Sequence, residues 1–334
     1  MKNRKQSILI SFLFILFIVT SSWGFLVHKT LHQLAVYQLP KGMQSLFYTN
    51  MDYLIKNAPR PDTRRNTDTT EATKHFIDIE AFGENAINTM PTEWQNAIAK
   101  YSEDTLKKYG YVPYVIIDLK NKLTNAFVQG NKDSILFYAA DIGHYIGDAN
   151  VPLHTSLNYD GQLTNQKGLH SLWESMIPEI EIEQYNLYSN HKATYLEKPE
   201  ASIWQSIQRA NALLPDLFAK EIEVSKKFSE TEKYRTQMRR GKEVKYYTTA
   251  FAKAYNIALG NTINEQLIHS ANLIADIWYT SWVDAGKPNL ENISKVPFLK
   301  TAKKQLRIEK RSFNNNNLLK DKLLKAKEEK RETE

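Results

Sequence analysis

The sequence predicts a mainly α-helical protein built around one large domain, on three observations. Apolar residues recur at helical spacing in several long stretches, few segments alternate as strands do, and no internal repeat divides the chain. With 334 residues, 42% of them hydrophobic, the chain can bury a sizeable core. His28 to Leu39 sets Leu31, Leu34, Ala35 and Leu39 on one stripe and is ended by Pro40. Asn57 to Thr70 is rich in Pro, Arg, Asp and Thr, the composition of a loop. Ser134 to Ala149 reads as a buried helix through Ile135, Leu136, Tyr138, Ala139, Ile142 and Tyr145, stopped by Pro152. Asn158 to Gly168 reads as a loop and Gly168 to Met176 as the start of another helix. Ile203 to Lys220 and Tyr247 to Val283 are further long amphipathic helices.

The two ends differ in kind from this body. Lys2, Arg4 and Lys5 precede an apolar run from Ile8 to Val19, and Thr20, Ser21 and Ser22 follow it, the order of a secretory signal. The run is shorter than the roughly 18 to 20 residues a spanning helix needs. Cleavage behind Ser22 and export to the periplasm or medium are expected; left uncut, the segment is a membrane anchor. No cysteine exists, so stability must come from the core, from bound metal, or from both. The formal charge of +7 does not mark a nucleic-acid binder. The signal carries +3 and the tail from Leu299 to Glu334 carries +6, leaving Trp23 to Phe298 at −2. The expected division is a signal at 1–22, a catalytic domain at 23–298 and a basic tail at 299–334. That tail reads as a flexible or helical solvated appendage, with a membrane-surface contact as its functional alternative.

Five of the eight histidines stand where metal ligands would. His144 and Asp148 are four apart on one predicted helix, so they share a face. His154 follows after the turn marked by Pro152, and His170 with Glu174 repeats the four-residue step on the next helix. One such pair is common on protein surfaces; the density between His144 and Glu174 is what singles this stretch out. Imidazole and carboxylate without thiolate suit zinc in a catalytic rather than a closed structural role.

The segment His144-Tyr-Ile-Gly-Asp148-Ala-Asn-Val-Pro-Leu-His154, with Gly168-Leu-His170-Ser-Leu-Trp-Glu174, resembles the zinc-binding core of the bacterial zinc-dependent phospholipases C. The single-strand-specific nucleases of fungi and plants share that core. The resemblance extends upstream to Trp23-Gly-Phe-Leu-Val-His28, to Asp62 in Arg-Pro-Asp62-Thr-Arg-Arg, and to His75-Phe-Ile-Asp78. It implies an all-helical fold and about three zinc ions. Asp62, His75, His144 and Asp148 would hold one ion. The amine and carbonyl of Trp23 would hold a second with His28, bridged by Asp148. His154, His170 and Glu174 would hold the third. The Trp23 role requires a free amine, which cleavage behind Ser22 supplies. Phe76, Asp78 and Arg65 take positions near the substrate, with Arg64 a further candidate for phosphate; a core Phe, an Asp orienting His75 and solvated arginines are the plainer readings. His32 is read as lying beside the site or on the helix surface, and His191 and His269 as structural.

Several zinc ions close together suit hydrolysis of a phosphodiester by a zinc-activated water, with Asp62 orienting or deprotonating that water. The substrate is divided. Glu174 as last ligand and a short Asn158 to Gly168 loop look like the phospholipase side; Trp173 and the Asp62-Thr-Arg-Arg run look like the nuclease side. Choline-selective phospholipases of this kind carry Glu three residues after the N-terminal Trp, where this chain has Leu26. A phospholipase C-like hydrolase acting on phospholipid or another phosphodiester is the main expectation, and a single-strand nuclease or 3′-nucleotidase the alternative. A third reading is an exported zinc-binding module without catalysis. No obligate protein partner is evident.

Overall fold

The structure is a computed structural model and describes residues 24–239 and 241–328. The expected signal and Trp23 lie outside the described residues. The helical expectation holds: four long helices, α1 (Phe25–Gln38), α2 (Val112–Val128), α3 (Lys132–Ala149) and α4 (Thr262–Asp284), pack together as the centre of the molecule. Helix α3 begins where the Asn131 side chain accepts from the Ser134 amide, and it ends at Asn150, two residues before Pro152. Every residue from Ala139 to Ala149 is buried, so this half of α3 has no solvent face.

A helix enclosed in this way needs small residues where neighbours come close. His28 and His32 of α1 lie against Gly147 and Gly143 of α3. A Cβ at Gly143 would stand 2.4 Å from His32 Nε2, and one at Gly147 2.9 Å from His28 Nδ1. The four-residue step on one helix thus meets the four-residue step on the other. Trp278 of α4 closes the far side, donating its indole N–H to the Ala139 carbonyl at 3.1 Å.

Several local readings change in detail. The stretch read as a loop at 57–70 contains a short helix, Arg60–Arg64, which Pro61 pre-organises at its first turn. The stretch from Tyr247 splits into Thr249–Leu259 and α4, because Gly260 takes a positive φ of 66° and breaks the ladder. Ile203 to Lys220 is likewise two helices, Pro199–Ala212 and Leu214–Ser225. The helix begun at Gly168 runs Leu169–Ser171, then a π-helical turn at Leu172–Met176, then Ile177–Glu181. Among the described residues the strands are a single antiparallel hairpin, β1 (Tyr234–Arg239) and β2 (Lys242–Tyr247). No helix among the described residues is long and apolar enough to cross a membrane.

The basic tail is not a solvated appendage. Its helix α5 (Lys300–Asn314) packs on α1, burying Leu306 and Phe313. Phe313 sits between the rings of Tyr37 and Tyr188 at 5.4 and 5.5 Å. The buried Glu309 accepts from the hydroxyls of Tyr37 and Tyr48 at 2.9 and 2.8 Å. Farther on, Gln33 of α1 donates to the Leu323 carbonyl and accepts from the Lys325 amide. One narrow face, Leu306, Glu309, Ser312 and Phe313, is buried while the rest is largely charged, so composition alone misjudged the segment. Phe313→Ala should therefore lower the unfolding free energy by about 3 kcal/mol, read from chemical denaturation. A free tail would give no change.

Candidate metal centre

Eight of the nine expected ligand residues converge on one place, and the ninth, Trp23, lies outside the described residues. His28 comes from the first turn of α1, Asp62 from the helix Arg60–Arg64, and His75 from the turn after Ala72–Lys74. His144 and Asp148 come from the enclosed half of α3, and His154 from the turn Pro152–Thr155. His170 and Glu174 straddle the start of the π-helical turn, whose wider pitch brings residues four apart nearly into line.

Asp148 stands in the middle. Its Oδ2 lies 2.8 Å from His75 Nδ1 and 3.3 Å from His144 Nε2, while Oδ1 lies 3.5 Å from His28 Nε2 and 3.7 Å from His154 Nδ1. Three groups have donor atoms within 4.8 Å of one another: Asp62 with His75 and His144, His28 with His144 and Asp148, and His154 with His170 and Glu174. The third is the expected set unchanged. In the first two, Asp148 falls with His28 rather than with Asp62, and His144 belongs to both.

The donors fit a soft divalent cation better than they fit one another. His154 and His170 point Nε2 at Nε2 across 2.8 Å, and both reach Glu174, at 3.5 and 2.6 Å. His28 Nδ1, His75 Nε2 and His154 Nδ1 are buried without a hydrogen-bond partner. Burial alone would raise the Asp148 carboxyl, but the imidazoles of His144 and His75 hold it well below the usual carboxylate range. Glu174 is treated alike by His154, His170 and His28. Burial works against a charge on His75, yet Asp148 and Glu71 push it up to about 9. A site that draws protons onto its imidazoles in this way will exchange them for a metal ion.

Behind the donors is a layer that orients them. His144 Nδ1 lies 3.0 Å from the Ala58 carbonyl, which can only accept, so the proton sits there and Nε2 faces the site with its lone pair. His32 is fully buried between the carbonyls of His28 and Ala140 at 2.7 and 2.9 Å, and desolvation lowers it to about 4. It is a packing residue beneath the site rather than a helix-surface one. His191 pairs with Asp276 at 2.8 Å, and His269 stands apart from the cluster, as expected of structural histidines.

Glu71 is the residue that sequence reasoning missed. It is fully buried, its Oε1 lies 3.7 Å from His75 Nε2, and it accepts from Arg64, Lys74 and the Tyr145 hydroxyl. Glu71 stands four before His75, the spacing that also joins His144 to Asp148 and His170 to Glu174, and that signal could have found it. Arg64 is drawn inward to Glu71 and Asp141, both at 3.0 Å, and its charge is taken up there. Arg65 points the other way: its side chain is 49% exposed, 3.6 Å from Asp62. Phe76 is half-buried against the backbone at Gly110. Asp78 is buried, and among the described residues no cation or hydrogen-bond donor meets its side chain. Burial, then the nearby Glu80, pushes its carboxyl up to about 6.

A mainly helical fold that gathers five imidazoles and three carboxylates into three groups able to hold a metal, two of them sharing His144, has the donor chemistry of a zinc hydrolase. Residues 23–289 match the S1/P1 nuclease family, and the chain belongs to that family. It is accordingly a zinc-dependent phosphodiester hydrolase. No curated protein matches the chain. The match ends before α5, so the segment that braces α1 lies beyond the family's own span.

The central placement of Asp148 sets a test. Asp148→Asn removes the charge that four imidazoles approach within 4 Å and should cost at least one equivalent of bound metal and nearly all hydrolysis. His191→Ala should keep both. Metal analysis and one phosphodiester assay on the two variants decide it, and equal values would remove Asp148 from the centre.

Proposed function

We propose that this chain is an exported nuclease that cleaves single-stranded nucleic acid, using about three zinc ions. The ions would be held by Asp62, His75, His144 and Asp148, by Trp23 and His28 with Asp148 shared, and by His154, His170 and Glu174. Zinc in these positions supplies positive charge for the phosphate oxygens and the departing alkoxide and makes water acidic near neutral pH. The chain's own residues do the rest. Asp62, with Oδ1 3.7 and 3.8 Å from His75 and His144, is placed to orient the attacking water and take its proton. Arg65, exposed beside Asp62, is placed to hold a phosphate oxygen.

The observation that carries the nucleic-acid reading over phospholipid is Asp78, taken with the family match. A buried carboxyl with no partner, two residues from the half-buried Phe76 ring, suits a base: the ring for stacking, the carboxyl for N–H groups on the base edge. A lipid headgroup would find no anion at Leu26, which is buried in the core. Glu174, the larger carboxylate in the last position, is the feature that favours phospholipase C. A hydrolysis panel decides between them: single-stranded and duplex DNA, RNA, phospholipids of several headgroups and a chromogenic phosphodiester. Turnover of phospholipid alone overturns the nuclease reading.

Asp78 gives a second test, in which the sign matters. Burial pushes its carboxyl up from the ordinary carboxylate range to about 6, so the folded state holds that proton more tightly than the unfolded chain. Its contribution is favourable below about 4 and is lost as pH rises through about 6. Asp78→Asn should therefore stabilise the protein by about 1 to 3 kcal/mol at pH 8 and by little at pH 4. The same change should lower kcat/KM on single-stranded DNA. Thermal unfolding at the two pH values, beside one assay, checks both halves.

The amino terminus supplies a third test. One extra residue before Trp23 turns its amine into a planar amide, a poor ligand. Metal analysis should then give one zinc fewer than for protein beginning at Trp23, with the zinc at His154, His170 and Glu174 kept. Equal zinc in both forms would remove Trp23 from the ligand set.

A further inference from the structure

The hairpin β1–β2 stands on the family domain in a way that packing alone does not account for. Two strands without a third are marginal by themselves and leave both edges open. Thr236, Gln237, Met238 and Glu243 are exposed, Met238 at 71%. What holds the ribbon is its root. Tyr247 is buried, its hydroxyl 3.0 Å from Glu221 and 3.3 Å from the Gln166 carbonyl, and its ring stacks on Phe251 at 4.9 Å. That same ring lies against Gly168, where a Cβ would stand 3.4 Å from it. Gly168 is the N-cap of the turn that carries His170, so the ribbon is pinned directly beside one of the three donor groups.

Its chemistry differs from that of its surroundings. Residues 234 to 247 contain five Arg or Lys and one Glu, a net +4, on a body that carries −2 from Trp23 to Phe298. The register sets Arg235 opposite Tyr246, which puts both on one face of the ribbon, and the guanidinium lies 6.0 Å from the ring centroid. Among the described residues Arg235 makes no ion pair, whereas Lys245, on the opposite face, is taken up by Glu230 at 3.1 Å. A free guanidinium beside a half-buried ring offers a cation for a phosphate and a platform for a base, the two features that repeat along any single strand.

We propose that the hairpin Tyr234–Tyr247 is an arm that holds single-stranded nucleic acid beyond the scissile phosphate, with Arg235 on a backbone phosphate and Tyr246 against a base. The inference rests on the nuclease reading and deepens it: the arm makes substrate length, rather than base identity, the quantity the enzyme senses.

The test uses zinc-loaded enzyme and two substrates, a 20-nucleotide single strand and a dinucleotide, each assayed across a range of salt. Arg235→Glu with Tyr246→Ala should raise the ratio of KM for the long strand to KM for the dinucleotide about tenfold. The salt slope for the long strand should flatten. Arg235→Ala, a single change on the hairpin surface that leaves the aromatic root intact, should raise the ratio about threefold. Lys303→Glu with Arg307→Glu on α5 reverses two charges elsewhere and should leave the ratio alone. An unchanged ratio in the hairpin variants, or an equal rise in the α5 variant, overturns the arm while leaving the nuclease reading standing. So does a hairpin variant that loses binding to vesicles of anionic phospholipid but keeps its long-strand KM. A wild-type enzyme that cleaves neither nucleic acid overturns the nuclease reading, and the arm with it.

Discussion

A carboxylate buried in the middle of a helix bundle is the constraint on which the rest of this structure depends. Asp148 sits where α3 has no solvent face, and an ionised carboxylate there is very costly unless positive charge surrounds it. Imidazoles from four separate segments answer that demand, His28, His75, His144 and His154, each with a ring nitrogen within 4 Å of its oxygens. The turn before His75 and the turn after Pro152 bring two of these imidazoles to it, and the short helix Arg60–Arg64 sets Asp62 beside them.

The bundle makes room for this at the level of single atoms. Gly143 and Gly147 let two histidines of α1 approach α3 more closely than any side chain would allow, and His32 then locks against backbone carbonyls beneath His28. A second buried acid, Glu71, stands 3.7 Å from His75 Nε2, and its charge is balanced by Arg64 and Lys74 while the Tyr145 hydroxyl donates to it. The centre is thus a set of buried and half-buried acids, each matched by imidazoles or cations. Asp78 is the exception, an acid on a buried residue that meets no cation among the described residues.

Two segments show how the same helical body can be extended. The tail turns one apolar side to α1 and leaves its basic side outward, so α5 stabilises the helix that presents His28 without touching the site. The hairpin does the reverse: it contributes little core, but it is rooted against Gly168, one turn from the donors. One appendage is tied to the fold and the other to the site.

The sequence by itself determined the fold class and the main helices, and it singled out eight residues that the structure brings together. Helical periodicity and four-residue steps such as His144 to Asp148 are local properties that survive without a three-dimensional context. It also held the signal for Glu71, unread, in the same step before His75. Only the tertiary structure decided how the donors are grouped, with Asp148 between sets and His144 in two of them. It alone turned Arg64 inward and Arg65 outward, although they are neighbours of one charge and one composition. The tail was misjudged for the same reason. Charge and mean composition describe a segment as a whole, whereas burial is settled side by side, by which face meets another helix.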